Sequence, residues 1–371
     1  MSDHSESQAE TIALLNLLAL EEIGSGTAIR LVSEFGSAQA VFSASEARLR
    51  GVPHFGEVLI ARLHAARADG DAGKRQYDEA HKSGVEIRTY WDAGFPPSLR
   101  ELQGDAPALL FIRGTLEAEA RRVAVVGTRS ATSYGKRMTH DLIVGLRGSG
   151  VHIVSGLASG IDGFSHEAAL EAGLITEAVF GCGVDHIYPS INTTLANRIL
   201  AAGGALVSEY PLGTSPERYH FPQRNRIIAG LSQATLVVEA GDKSGALITA
   251  MLAAEYNREV AAVPGAVTSS RSAGCLDLIK SGAALVAKPQ DILDLIKVKG
   301  RAEAAASAQA TLTLDDREQK LYGTLDATEG CHIDDIAAKA GVPVGEALGQ
   351  LLLLELKGAV KQLPGKYFVR A

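Results

Sequence analysis

The chain has 371 residues, of which 46% are hydrophobic, and it carries 36 Lys and Arg against 43 Asp and Glu. This length allows two or three domains, and the composition is typical of a globular α/β protein. The net charge of −7 excludes a generally basic nucleic-acid protein, so any such binding depends on a local patch. The three cysteines lie far apart without metal-ligand spacing, and the polar, acidic N-terminus resembles no signal peptide. We therefore expect a cytoplasmic chain that holds no metal, cofactor or membrane span.

The first 72 residues predict only helices, within a first domain over 1–78. Residues 23–26 form a glycine hairpin between two helices, and residues 52–56 form a second, weaker one. The pair resembles tandem helix-hairpin-helix or SAM-like units, which contact DNA backbones through hairpin amides. Residues 1–72 carry five basic and ten acidic side chains, however, which opposes phosphate binding. A structural or partner-docking role is favoured here.

The middle domain, 79–298, shows strands that alternate with helices. A polar helix over 62–83 leads into it. Apolar runs predict strands over 85–90, 108–113, 123–126, 151–154, 175–180, 205–208, 234–238 and 260–263. Helices are predicted after 135 and over 192–200, 224–232 and 246–255. This alternation predicts an extended Rossmann-like fold with a doubly wound, largely parallel sheet.

The central βαβ unit, 123–162, carries the clearest functional signal. Its two strand-to-helix loops are built from small residues, and Arg129 lies on the first loop. Such loops present backbone N–H groups and the positive end of a helix dipole to an anion. Residues 113–147 add seven basic side chains against three acidic ones. Neither a Walker A nor a dinucleotide-binding motif is present, so the alternatives are a polyanion site or loops that only form turns.

An alanine-rich linker is predicted over 299–312, followed by a winged-helix domain over 313–371. Its third helix, 344–357, offers one terminal cation, Lys357, and it is apolar around much of its girth. Leu348, Leu351 and Leu352 are expected to form the core face. We expect a protein-docking module, with duplex DNA binding through the wing as the alternative.

Several stretches together resemble the DNA-processing protein A family, also called Smf, of bacterial natural transformation. They cover most of 88–290, in the family's order: YWDAGFPPSLRELQGDAPALLFIRG, VAVVGTRSATSYG, VSGLASGIDGFSHEAAL, GCGVDHIYP, SEYPLG, FPQRNRIIAGLS, VVEAGDKSGALITA and AVPG. The resemblance implies a non-enzymatic binder of single-stranded DNA that protects incoming strands and loads RecA recombinase. It also implies cooperation with single-strand binding protein and a homodimer. The family's glycine-(Ser/Thr)-arginine motif falls on Gly127-Thr128-Arg129.

The predicted phosphate-binding residues lie on three loops and one helix start. They are Gly127, Thr128, Arg129 and Ser130; Ser155, Gly156, Ser159 and Gly160; Arg224, Asn225 and Arg226; and Lys243, Ser244 and Gly245. For Asn225 and Arg226 the alternative is to anchor their helix against neighbouring loops. The candidate base-stacking residues are Tyr134, Tyr188, Tyr210 and Phe221.

A nucleotide-processing enzyme is the second functional hypothesis. Residues 224–250 resemble a block of the nucleoside-monophosphate phosphoribohydrolases, although the Pro-Gly-Gly loop of those enzymes is absent. Glu239 stands at a strand end, where α/β enzymes place functional groups. His166 is either a base or a hydrogen-bonded core residue, and Asp162 is either an acid or a helix cap.

Overall fold

The computed structural model describes residues 2–53, 55–69, 71–297, 316–325, 331–356, 359–363 and 365–370. They belong to two compact units, Met1–Gly300 and Arg301–Ala371. The predicted linker over 299–312 lies outside the described residues.

The first unit is built on a nine-stranded sheet in the order β1-β2-β6-β5-β4-β3-β7-β8-β9. The pairs β1–β2 and β2–β6 are antiparallel, and the other pairs are parallel. The strands are β1 Glu86–Thr89, β2 Leu109–Gly114, β3 Arg122–Val126, β4 His152–Ser155, β5 Thr176–Val179, β6 Ala205–Ser208, β7 Ala234–Val237, β8 Glu259–Ala262 and β9 Ala284–Leu285. The predicted doubly wound sheet is confirmed.

The winding reverses beside β3. The chain moves outward through β4, β5 and β6, then returns to place β7 on the other side of β3. The carboxyl ends of β3 and β7 therefore flank the switch point, where open α/β sheets bind ligands.

Helices cover both faces of the sheet because alternate strand residues point to opposite sides. Ala124 and Val126 pack with one apolar cluster, while Val123 and Val125 pack with the other. The helices are α7 Pro97–Arg100, α8 Ser133–Val144, α9 Ile161–Ala172, α10 Thr193–Ala201, α11 His220–Leu231, α12 Gly245–Glu255, α13 Ala273–Lys280 and α14 Pro289–Leu295. No elements were predicted for 266–298, so α13, β9 and α14 are additions.

In the described part of residues 1–82, six helices form a module that shares a core with the sheet. They are α1 Ser2–Leu18, α2 Ser25–Phe35, α3 Ala38–Ser43, α4 Glu46–Arg50, α5 Glu57–Asp69 and α6 Asp71–Lys82. Their buried leucines pack with Leu109 and Phe111 of β2. Gly26 lies so close to the carbonyl of Gly104 that no side chain fits there. The single helix predicted over 62–83 is wrong, because α5 and α6 divide that segment.

The second unit is the predicted winged helix. Its helices span Asp316–Tyr322, Ile333–Ala340 and Val344–Leu356, and its antiparallel strands β11 Val360–Leu363 and β12 Tyr367–Arg370 form the wing. A short strand, β10 Cys331–His332, pairs with β12 and was not predicted. The expectation that Leu352 lies in the core is wrong, because its side chain is 47% exposed. The buried face of this helix consists of Ala347, Leu351 and Leu354, which are spaced three or four residues apart.

Over the described ranges, no single helix is long and apolar enough to cross a membrane. Only the bent pair Ile333–Ala340 and Val344–Glu355, at 103°, meets that criterion by length and composition together.

Candidate nucleic-acid interface

A cleft of about 980 Å³ opens at the switch point of the sheet. The loop after β3 and the loop after β7 line it, together with Ala158 after β4 and one side of α11. The structure thus brings together the Gly127–Ser130 and Lys243–Gly245 groups of predicted residues. Ser159 and Gly156 line a smaller adjoining cavity that shares Arg129, Tyr188 and Phe221 with the cleft.

Four exposed cations face this cleft: Arg129, Arg218, Lys243 and Arg271. Asp242 is the one exposed carboxylate among the residues that line it. Arg218 and Arg271 were not predicted. They follow β6 and β8, whose carboxyl ends lie at the same edge of the sheet. Because open α/β sheets bind ligands at the carboxyl ends of their strands, cations in each loop that follows a strand are the sequence signal for these two residues. The surplus of positive charge suits a polyanion.

The first loop holds its anion-facing shape through internal hydrogen bonds. The Thr128 amide donates to the Glu239 carbonyl at 2.7 Å, and the Ser130 amide donates to Thr128 Oγ1 at 3.2 Å. The Thr132 side chain caps α8 by accepting from the Gly135 amide. These amides are therefore committed within the protein, whereas the Arg129 side chain is exposed at the cleft. Backbone cradling by Thr128 and Ser130 is not supported by this geometry.

Glu239 braces that loop from the end of β7. Its two carboxylate oxygens accept from the amide and the hydroxyl of Thr132, each at 2.9 Å, and the residue is 4% exposed. A carboxylate placed at the start of α8 also complements the helix dipole. Glu239 therefore positions the cleft wall.

The second loop is held by internal hydrogen bonds, with Ala158 at the cleft and Ser159 at the adjoining cavity. Ser155 is fully buried and donates from Oγ to the Val125 carbonyl at 2.6 Å, so this geometry does not support its direct contact with a phosphate. Asp162 accepts from the Gly156 amide at 3.1 Å, within the first turn of α9. Burial raises the pKa of Asp162, against the pull of nearby Arg224. Asp162 thus orders the loop, and the helix cap is Gly160 instead.

Arg224 lies in the cleft wall but is only 4% exposed. Its guanidinium donates to the carbonyls of Gly156 and Val179, so its direct contact with a phosphate is not supported. Burial lowers the pKa of Arg224 to about 10, and the residue remains a cation at neutral pH. Arg224 ties α11 to the ends of β4 and β5.

Arg226 faces away from the cleft. Its two terminal nitrogens bind both oxygens of Glu209, at 2.7 and 2.6 Å. This pairing favours the alternative that Arg226 anchors its helix against a neighbouring loop. Asn225, on the neighbouring side of α11, does line the cleft.

Two of the four candidate aromatic residues lie in the cleft. The rings of Tyr188 and Phe221 are 5.6 Å apart, and the Arg129 guanidinium lies over Phe221 at 5.6 Å. Tyr134 instead donates to the Pro264 carbonyl, and Tyr210 donates to Gln223. Tyr188 and Phe221 are therefore the candidate base-stacking pair.

His166 is a core residue rather than an exposed base. It is fully buried, with Nδ1 2.7 Å from Thr176 Oγ1. Burial, and then the charge of Arg224, lowers the pKa of His166 to about 3.

Asp185 holds a neighbouring loop, because its carboxylate accepts a hydrogen bond from the Gly213 amide at 2.9 Å. Among the residues with described positions, no group of three His, Cys, Asp or Glu side chains could hold a metal ion.

This chain is a two-unit α/β protein. Its first unit is a doubly wound sheet with a cationic cleft at the switch point, and its second unit is a winged helix. The family model described as DNA recombination-mediator protein A matches residues 86–297, and the DprA winged helix domain matches 304–366. The chain belongs to the DNA processing protein A, or Smf, family.

Relatives of known sequence and structure agree with this assignment. Protein Smf of Escherichia coli K12 is 42% identical over 278 residues, which cover 74% of each chain. Protein Smf of Synechocystis is 35% identical over 376 residues, or 92% of this chain and 94% of the relative. The crystal structure of DNA processing protein A from Streptococcus pneumoniae has a TM-score of 0.60 at 34% identity, covering 79% of this chain and 98% of that one. The homologue from Helicobacter pylori, studied for its unique single-stranded DNA binding mode, has a TM-score of 0.51 at 30% identity, covering 57% and 96%.

Proposed function

We propose that the switch-point cleft binds the backbone of single-stranded DNA without sequence specificity. The observation that carries this proposal is the convergence of Arg129, Arg218, Lys243 and Arg271 beside the Tyr188–Phe221 pair. Cations that follow the backbone and aromatic rings that accept unpaired bases are the two components of single-strand sites. The described single-stranded DNA binding of the Helicobacter pylori homologue supports the same ligand.

Within transformation, this binding serves a mediator role: the protein protects incoming strands and loads RecA recombinase. Family membership supports this role, with single-strand binding protein and a second copy of the chain as further partners. We place the protein in the cytoplasm and expect no catalysis.

The direct experiment compares single- and double-stranded oligonucleotides of equal length in a gel shift. Preferential binding of the single strand, irrespective of its sequence, is the expected result. Equal affinity for the duplex, or strong preference for one sequence, would contradict the proposal.

The nucleotide-processing alternative has less support. Its candidate group at the strand end, Glu239, is occupied in bracing the loop at the cleft. Incubation with nucleoside monophosphates provides the test, since release of free base would require an enzyme.

A further inference from the structure

A second large cavity lies where the helical module meets the sheet, and we call it the hairpin cavity. Its volume is about 720 Å³. Two features that stand out in the sequence, the glycine hairpin of 23–26 and Arg226, line this cavity instead of the cleft. The hairpin is therefore held against the sheet of its own chain.

One wall of the hairpin cavity is apolar. Leu15, Ile23, Leu109 and Phe111 line it, and each is at most 5% exposed. Small-molecule sites have volumes of about 300–1,000 Å³ and combine such walls with a few placed polar groups. The hairpin cavity has both the size and the lining of such a site.

The polar groups of the hairpin cavity leave one cation without a partner. Glu209 forms a two-point ion pair with Arg226, whereas Asp105 is an exposed carboxylate that accepts a hydrogen bond from the Tyr256 hydroxyl at 2.8 Å. Arg75 is exposed, and no residue in the described ranges gives it an ion pair or a hydrogen bond. A guanidinium beside an apolar wall favours an anion that carries an apolar body.

We propose that the hairpin cavity binds a small organic anion with an aromatic or apolar body. The anionic group pairs with Arg75, and the body packs against Leu15, Ile23 and Phe111. A DNA strand does not fit this lining, because most of the wall is hydrocarbon and the helical module is acidic. A bound ligand touches both the module and the sheet, so it stabilises their packing.

The test titrates the full-length protein with anilinonaphthalene sulfonate, a fluorescent aromatic anion. We expect saturable binding that raises the melting temperature. Arg75→Ala should weaken the dye about five- to tenfold, the effect of losing one charge-assisted contact at a partly exposed site. Ala72→Phe, which fills the cavity, should remove most of the binding. Arg30→Ala is the matched control, because Arg30 is an exposed arginine of the same module outside the cavity.

Three outcomes would overturn the proposal. They are the absence of saturable binding to the wild type, equal dye affinity in the wild type and Arg75→Ala, and displacement of the dye by oligothymidylate. The last outcome would place the dye in the phosphate cleft. If Ala72→Phe fails to fold, the dye affinity of Arg75→Ala alone decides the test, since replacing an exposed side chain leaves the core unchanged.

Discussion

Three arginines that stand in polar motifs of the sequence have three different roles in the structure. Arg129 is exposed in the cleft, Arg224 is buried against two carbonyls, and Arg226 pairs with Glu209. The last two are separated by one residue on α11, so the helix turns them to different surroundings. Sequence identifies the cations, but the orientation of the helix decides which of them meets solvent.

Replacing Arg224 by methionine should lower the free energy of unfolding by about 1–3 kcal/mol, because the buried carbonyls of Gly156 and Val179 would lose their hydrogen-bond donor. Urea unfolding measures this loss. Arg129→Met, at an exposed position, is the control and should change stability by about 0.5 kcal/mol or less. Equal stability of the two variants would show that Arg224 does not brace the loop.

His166 predicts a pH dependence of stability. Its pKa is about 3 in the folded protein, below the ordinary value, so the unfolded chain takes up a proton first as the pH falls. Above about pH 6.5 the residue is neutral in both states and the free energy of unfolding is not reduced. Below that pH the free energy of unfolding declines by up to about 1.4 kcal/mol per pH unit. His166→Asn, which retains a polar atom toward Thr176, should reduce this decline between about pH 6.5 and 4. An unchanged slope in the variant would contradict the burial of a neutral histidine.

At the scale of elements, every strand that the apolar runs predicted through 263 is present. The signal is clearest for buried parallel strands such as β3, which read as nearly continuous apolar segments. The later elements lack that signal: β9 has two residues, both partly exposed, and α14 has seven. Helix α11 begins at His220, four residues before its predicted start. Pro222 lies in the first turn of this helix, where proline is tolerated.

The two loops of the βαβ unit are interlocked at Gly160. This residue has φ +81°, and a side chain on it would overlap the Thr128 carbonyl. Gly160→Ala should therefore destabilise the fold and weaken DNA binding, because the Arg129 loop must move. Gly150→Ala is the matched control: its φ is +72° but nothing lies within 4 Å of the added carbon, so only the backbone cost of about 1–2 kcal/mol remains. Equal losses of stability and affinity in the two variants would show that the loops are not coupled.

For the whole molecule, the sequence predicted the architecture and the position of the cleft but not its complete charge. Strand ends and small-residue loops are local patterns, and they located Arg129 and Lys243. Arg218 and Arg271 lie far away in sequence and reach the cleft only because the sheet brings four strand ends to one edge. The commitment of Ser155 and Thr128 to internal hydrogen bonds likewise depends on tertiary contacts.

Removal of 301–371 tests the division of labour between the two units. The outward side of the helix Val344–Leu356 presents Leu352 and Leu353, 47% and 53% exposed, which suits protein contact better than base reading. Single-strand affinity of the truncated protein should stay within about threefold of the wild type, while pull-down of partners changes. A large loss of DNA affinity would refute the docking role of the winged helix.

The salt dependence of single-strand binding tests the central claim most directly. Fluorescence anisotropy of labelled oligothymidylate should give a log–log slope of about −0.7 for each phosphate contacted. Arg129→Ala should reduce the steepness by about 0.7 and weaken binding by about 1–3 kcal/mol, because one phosphate contact is lost. Arg121→Ala, an exposed arginine that does not line the cleft, is the control. A salt-independent affinity, or an Arg129→Ala variant with the wild-type slope and affinity, would contradict DNA binding at the switch-point cleft.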